Sequence, residues 1–279
     1  MSQHNSTDQQ IEPNHHLENI LVTFDIDGTL LIGLNKGMVH HNSYKGAVYD
    51  IFGVQEDLPK YRPGTDLGIS KQIIEYTLKM LNSTQKNNED NQKNTYNNFI
   101  NDEIIQKFIK RTEDHYIELF DGKLIVMPGI TETLNYLSNI PNVKIALCTG
   151  NFRRIALLKL EKANLTKYFS PHVIGGFGNN CESRTDILIE SHRNAEKVYG
   201  IKFDRFIHIG DSPADIEAAN NIGTTSILVK TTPYDFQPSE YHNPKFIFSN
   251  LKNNFEDLVS IIKTGKATDA YYKENQNSN

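Results

Sequence analysis

Cysteine is scarce: Cys148 and Cys181 are the only two in 279 residues. Two thiols cannot build a disulfide framework or a zinc cage. Basic charge is not in excess either. Lys and Arg total 29 against 34 Asp and Glu, a net charge of −5, so composition points to neither a nucleic-acid nor an anionic-membrane partner. No uninterrupted apolar stretch is long enough to span a bilayer. Residues 1–19 are polar and rich in Asn, Gln and His. They lack the basic start and apolar core of a signal peptide and the arginines of a transit peptide. A cytoplasmic protein is the expectation. His4, His15 and His16 are metal-capable, but their surroundings read as a disordered tail. With 38% hydrophobic and 23% charged residues, the chain suits one large globular domain or two smaller ones.

What is present is organised around Ile20-Leu21-Val22-Thr23-Phe24-Asp25-Ile26-Asp27-Gly28-Thr29-Leu30. The apolar, β-branched start reads as a buried strand. Its end in two aspartates is costly in an interior, because each charge loses its hydration. A site at the carboxyl edge of a parallel sheet removes the conflict, since ligands bind there in open α/β folds. Gly28 allows a tight turn that aims backbone N–H groups at an anion. Asp25 then reads as a nucleophile or metal ligand and Asp27 as an acid/base. The structural alternative is a strand-ending Asx turn capped by Asp27.

Downstream, Leu31 to Met38 is a glycine-punctuated link, followed by apolar residues at helical spacing from Tyr44 to Phe52, with Gly53 as a stop. A Pro/Gly loop carries Arg62, Thr65 and Asp66, and a second amphipathic stripe runs from Ile69 to Leu81. Residues 82–98 are Asn/Gln/Lys-rich with almost no apolar content, which reads as a solvated, flexible insertion. Helical spacing resumes from Ile104 to Phe120. Strand and helix then alternate, with strands expected at 143–148, 172–177, 205–209, 226–229 and 246–248. The alternation argues for an α/β chain whose parallel sheet is covered by helices on both faces. The expected division is a tail at 1–19, an α/β core over 20–34 and 125–265, a helical insertion over 35–124, and a polar tail at 266–279.

Three of these strands end in polar groups: Asp25 with Asp27, Thr149, and Asp211 with Asp215. In a parallel sheet they share one edge. Converging carboxylates repel unless a cation lies among them. An all-oxygen set without clustered Cys or His favours Mg²⁺ over zinc. Thr149, Gly150 and Asn151 at a helix start form a phosphate cradle.

The four segments resemble the haloacid dehalogenase superfamily of hydrolases. Asp25-Ile26-Asp27-Gly28-Thr29 matches its first motif, Thr149 the second, and Gly210-Asp211 through Asp215 the fourth. The likeness covers residues 20–34 and 125–250, and the helical insertion stands where the family places its first type of cap. Thr149-Gly150-Asn151, Gly175-Gly176-Phe177-Gly178, Arg184 and Gly64-Thr65-Asp66 resemble the phosphoglycolate-phosphatase-like branch.

The resemblance implies a Rossmann-like core and an Mg²⁺-dependent phosphatase acting on a small phosphorylated metabolite. In that reading Asp25 attacks phosphorus, and Asp27 protonates the leaving oxygen and then activates water. Asp25, the Asp27 carbonyl and Asp211 hold Mg²⁺, with Asp215 in support. The family's third motif usually offers Lys. Arg184 stands at that position, and guanidinium suits phosphate. A phosphomutase on the same scaffold, or an inactive binding protein that kept the fold, are the alternatives. Dehalogenation is disfavoured, since it needs no Mg²⁺ and gives Asp27 no task.

The remaining polar residues are expected to be structural. Lys159, Lys162 and Lys167 are alternatives to Arg184 but read as surface charges, and Arg153 and Arg154 as a solvated helix face. His40 and His41 read as caps of the first inserted helix, Cys148 as a buried inert thiol and His208 as a hydrogen-bonded core residue. Arg62 and Asp66 are placed to touch substrate from the insertion, with helix capping the other role for Asp66.

Overall fold

The structure, a computed structural model, describes residues 17–34, 37–62, 64–84, 101–169, 172–232 and 242–276. Most of the Asn-rich stretch expected over 82–98 and residues 1–16 of the expected tail lie outside the described residues.

Six strands form one parallel sheet: β1 (Ile20–Phe24), β4 (Val143–Cys148), β5 (Gly175–Gly176), β6 (Arg205–Gly210), β7 (Thr225–Val229) and β8 (Phe246–Phe248), in the order β5-β4-β1-β6-β7-β8. β1 is buried along its whole length, as a strand flanked on both edges and covered on both faces must be. Its period of two sends Ile20, Val22 and Phe24 into one apolar cluster and Leu21 into another. Thr23 is buried among them because its hydroxyl donates to the Ile207 carbonyl and meets His208 Nδ1 at 2.9 Å. Helices α4 (Ile130–Ser138), α8 (Phe255–Thr264) and α9 (Asp269–Gln276) pack into the first cluster. Helices α6 (Arg184–Tyr199) and α7 (Pro213–Asn221) contribute to clusters beyond it. Helix α5 (Arg153–Lys162) follows β4.

Three helices, α1 (Met38–Phe52), α2 (Asp66–Thr84) and α3 (Asp102–Leu119), form a separate layer. Its own apolar core includes Tyr44, Ile73, Ile74 and Phe108, and it also takes in Phe152 and Ile155 from the start of α5. Phe152 is fully buried, so the layer is seated on α5 by a contact of about 2–3 kcal/mol. An antiparallel ribbon of β2 (Leu31–Gly33) and β3 (Leu124–Val126) pairs the chain entering and leaving the layer.

The structure departs from expectation in four places. Residues 31–38 contain strand β2, too short to carry a period. The strand expected at 172–177 keeps only Gly175 and Gly176, because Val173 sits at a left-handed φ of 43°. His40 and His41 lie within α1 and do not cap it; Gly37 occupies the cap position. The expected polar tail contains α9, anchored by buried Tyr271 against Phe246 and Phe248.

Candidate active site

β1 lies between β4 and β6, so the residues after all three strands meet at one edge. Asp25 follows β1, Thr149 follows β4 and Asp211 follows β6. Asp25 is nearly fully buried, and its N–H donates to the Ile209 carbonyl. Asp211 accepts from the Thr29 hydroxyl at 3.2 Å. Asp215, fully buried, closes a reciprocal capping box with Ser212 at the start of α7. Oxygen atoms of Asp25, Asp211 and Asp215 lie within 4.8 Å of one another. The carboxylate of Asp27 is not in this group, and Asp215, expected only in support, is.

Arg184, at the first position of α6, runs into the cluster. Its Nη1 stands 3.2 Å from Asp25 Oδ1 and its Nε 3.2 Å from Asp215 Oδ1. Burial pushes the Asp25 carboxyl up to about 7, against the pull of Arg184 and with repulsion from Asp215 and Asp27. Burial, and then Asp25 and Asp215, raise Asp211 well above its usual range. Burial works in the same direction on Asp215, but Arg184 and His208 outweigh it and hold that carboxyl low. One guanidinium thus does not neutralise three carboxylates. All-oxygen donors carrying this residual repulsion fit a hard divalent cation.

Thr149 and Asn151 are buried beside the cluster. The Thr149 hydroxyl accepts from Asn151 Nδ2 at 2.8 Å and from its backbone N–H at 3.3 Å. The Gly150 carbonyl accepts from the N–H of Asp66. A side chain on Gly178 would strike that same carbonyl, so this glycine permits the close approach.

Asp27 has a different set of neighbours. Lys159 Nζ donates to its two carboxylate oxygens at 2.8 and 2.7 Å and to Asn151 Oδ1 at 2.9 Å. Asn151 Nδ2 donates to Asp27 at 2.7 Å. Burial would raise the Asp27 carboxyl, but Lys159 prevails and holds it below its usual range. Lys159 is itself only 2% exposed, which overturns the expectation of a surface charge; Lys162 and Lys167 are exposed as expected. The signal was in the sequence: Lys159 falls four residues after Ile155, on the buried stripe of α5.

The helical layer closes against this edge through Asp66. Its carboxylate accepts from the Phe152 N–H at 2.7 Å and the Tyr44 hydroxyl at 2.8 Å, with His40 Nε2 at 3.5 Å. Asp66 is therefore engaged in joining layer to core, and helix α2 is capped by Thr65, whose hydroxyl accepts from the Gly68 N–H. The Arg62 side chain is exposed, and its backbone N–H donates to Gln72. Neither residue is brought to the carboxylate cluster. Arg153 and Arg154, exposed as expected, are nonetheless engaged: Arg153 donates to the His172 and Val173 carbonyls, and Arg154 pairs with Glu113 and Asp114 of α3.

This geometry can be set beside known proteins. A phosphoglycolate phosphatase from Agrobacterium fabrum is 35% identical over 164 residues, 57% of this chain and 66% of that protein. The curated relatives matched are spanned over 45–66% of their own length. Among solved structures, a predicted phosphatase from Clostridium acetobutylicum aligns at TM-score 0.56 and 19% identity, over 88% of this chain and 100% of that one. An archaeal beta-phosphoglucomutase from Pyrococcus aligns at TM-score 0.53 and 18% identity, over 88% and 99%. These likenesses are of fold. No helix among the described residues is long and apolar enough to cross a membrane. The family model for haloacid dehalogenase-like hydrolases matches residues 21–223, nearly three quarters of the chain, and the chain belongs to that family.

Proposed function

We propose that the protein is a phosphatase that hydrolyses a small phosphate monoester through a phosphoryl group carried on Asp25. The observation behind this reading is the clustering of Asp25, Asp211 and Asp215 within 4.8 Å, with Arg184 against Asp25. Asp25, Asp211 and Asp215 would hold Mg²⁺, which when bound supplies positive charge beside the transferring phosphoryl group. The Asp27 carbonyl, expected as a further ligand, remains part of that proposal.

Arg184, the Thr149 hydroxyl and the Gly150 N–H group orient the phosphoryl oxygens, with Asn151 holding the Thr149 oxygen in place. An oxygen of Asp25 forms a bond to phosphorus as the bond to the ester oxygen breaks, and the leaving oxygen takes a proton from Asp27, which takes up that proton as the incoming phosphate brings further negative charge beside it. In the second half, Asp27 takes a proton from water as the water oxygen bonds to phosphorus. The bond to Asp25 then breaks, releasing phosphate and restoring both carboxyl groups. The helical layer, seated on Phe152 and Asp66, excludes bulk water during transfer.

The relatives named as phosphoglycolate phosphatases make phosphoglycolate the first substrate to assay. Quenched enzyme incubated with Mg²⁺ and p-nitrophenyl phosphate should carry a phosphoryl group on Asp25, and excess EDTA should abolish turnover. Full activity in EDTA, or phosphate found on a histidine or serine, would overturn the reading. A phosphomutase would instead return isomerised sugar phosphate without net release of phosphate.

A further inference from the structure

We propose that Lys159 is a positioning residue that fixes the Asp27 carboxylate for the water-activating half of the reaction. The inference rests on the acid/base role given above to Asp27. A lysine two turns into a helix ordinarily sends its ammonium into water along an apolar stem. Lys159 is buried, although Lys162 in the same turn is exposed. Helical side chains lean towards the N-terminus of their own helix, so Lys159 reaches back along α5 to its start, where Asn151 and Asp27 lie.

There the ammonium finds three acceptors: both oxygens of Asp27, at 2.8 and 2.7 Å, and Asn151 Oδ1 at 2.9 Å. Its three donors are thereby accounted for. The Tyr116 ring of α3 lies 5.5 Å away and covers it from the helical layer. Asp27 is contacted at both oxygens by Lys159 and at one by Asn151, yet its side chain is 45% exposed. The carboxylate is thus fixed from behind and open in front. A general base that must take a proton from an incoming water needs this combination, since a misplacement of about 1 Å can cost roughly a hundredfold in rate.

The experiment separates the two half-reactions. With p-nitrophenyl phosphate, whose leaving group needs little protonation, Lys159→Met should phosphorylate Asp25 at near the wild-type rate. Loss of the phosphoryl group should then slow on the order of a hundredfold, giving a burst followed by a stall. Asp27→Asn should give the same burst and stall, and Lys159→Met added to Asp27→Asn should slow it no further, because Lys159 acts through that carboxylate.

Wild-type steady turnover in Lys159→Met, or an additive loss in the double variant, overturns the inference while leaving the role of Asp27 intact. Undiminished turnover or absence of any burst in Asp27→Asn overturns the parent reading instead. Should Lys159→Met fail to fold, Lys159→Gln, which retains an amide donor, must show the same slowed second phase.

Discussion

Arg184→Ala tests the cluster most directly, because it removes one positive charge from among three carboxylates. Both of its contacts, to Asp25 and Asp215, are 3.2 Å long. At an effective dielectric of about 20, each such contact is worth about 5 kcal/mol of attraction before desolvation. Burying the guanidinium takes back several kcal/mol, and the penalty for leaving the partners unpaired is about 3–5 kcal/mol. Asp215 bears most of it, being fully buried with its carboxyl held low chiefly by Arg184 against the opposing effect of burial.

In EDTA the variant should therefore melt roughly 10 °C below the wild type, and Mg²⁺ should recover much of the difference by replacing the lost charge. Because Arg184 repels a cation from the same oxygens, Mg²⁺ should bind the variant more tightly. Turnover should nevertheless fall by about a hundredfold or more, since the guanidinium donors to the phosphoryl oxygens are gone. Arg184→Lys should restore part of the rate but not the paired geometry. Differential scanning fluorimetry, magnesium titration and phosphate release read these three effects separately. Unchanged melting in EDTA together with unchanged turnover would refute the assignment of Arg184.

The folded Asp25 carboxyl stands at about 7 against an ordinary 3.8, so its contribution to metal-free stability is complete below about pH 4 and is lost as pH rises towards 7. The metal-free protein should accordingly gain stability from pH 7 to pH 5 at this site, and Mg²⁺ should bind roughly tenfold more weakly at pH 6 than at pH 8 because it must displace protons. Calorimetry in buffers of different ionisation enthalpy should register their release, and pH-independent affinity would contradict the assignment. Asp66→Ala, which removes the acceptor of both the Phe152 N–H and the Tyr44 hydroxyl, should cost about 1–3 kcal/mol in urea unfolding. If Asp66 served only to touch substrate, stability would not change.

The sheet and the edge where its carboxylates gather were legible in the sequence because buried parallel strands are short apolar runs, and a carboxylate at the end of such a run loses hydration unless it faces a ligand site. Asp25, Thr149 and Asp211 could be read that way one strand at a time. Lys159 carried a weaker signal, its place four residues after Ile155. Its neighbours Leu157 and Leu158 blur the helical stripe, and lysine is so common on surfaces that burial is not the default inference. Asp66 was legible as a residue of interest but not as a joint, since its partners, Tyr44 and the Phe152 N–H, are distant in sequence and one is a backbone group. The β2–β3 ribbon carries three residues a strand, too few to show a period.

Asp25 and Asp27 stand two residues apart, and had β1 continued they would share one face and one environment. The strand stops at Phe24, and the Ile26 carbonyl then accepts from the N–H groups of both Leu30 and Leu31. Gly28, at a φ of 86°, donates to the Leu31 carbonyl and completes the reversal. A side chain there would strike Asp211, so the turn can be this tight only with glycine. The reversal separates the two carboxyls. Asp25 joins Asp211 and Asp215, where only added positive charge makes its anion stable. Asp27 faces Lys159 and Asn151, where its anion is already compensated by the chain itself. Ionisation of the proposed nucleophile is therefore governed by cation binding, and that of the proposed acid/base by a fixed ammonium. With p-nitrophenyl phosphate, chelation should cripple attack on phosphorus, whereas loss of Lys159 should cripple only hydrolysis of the phosphorylated Asp25. The two defects, measured on the same phosphorylated intermediate, should fall on opposite sides of it.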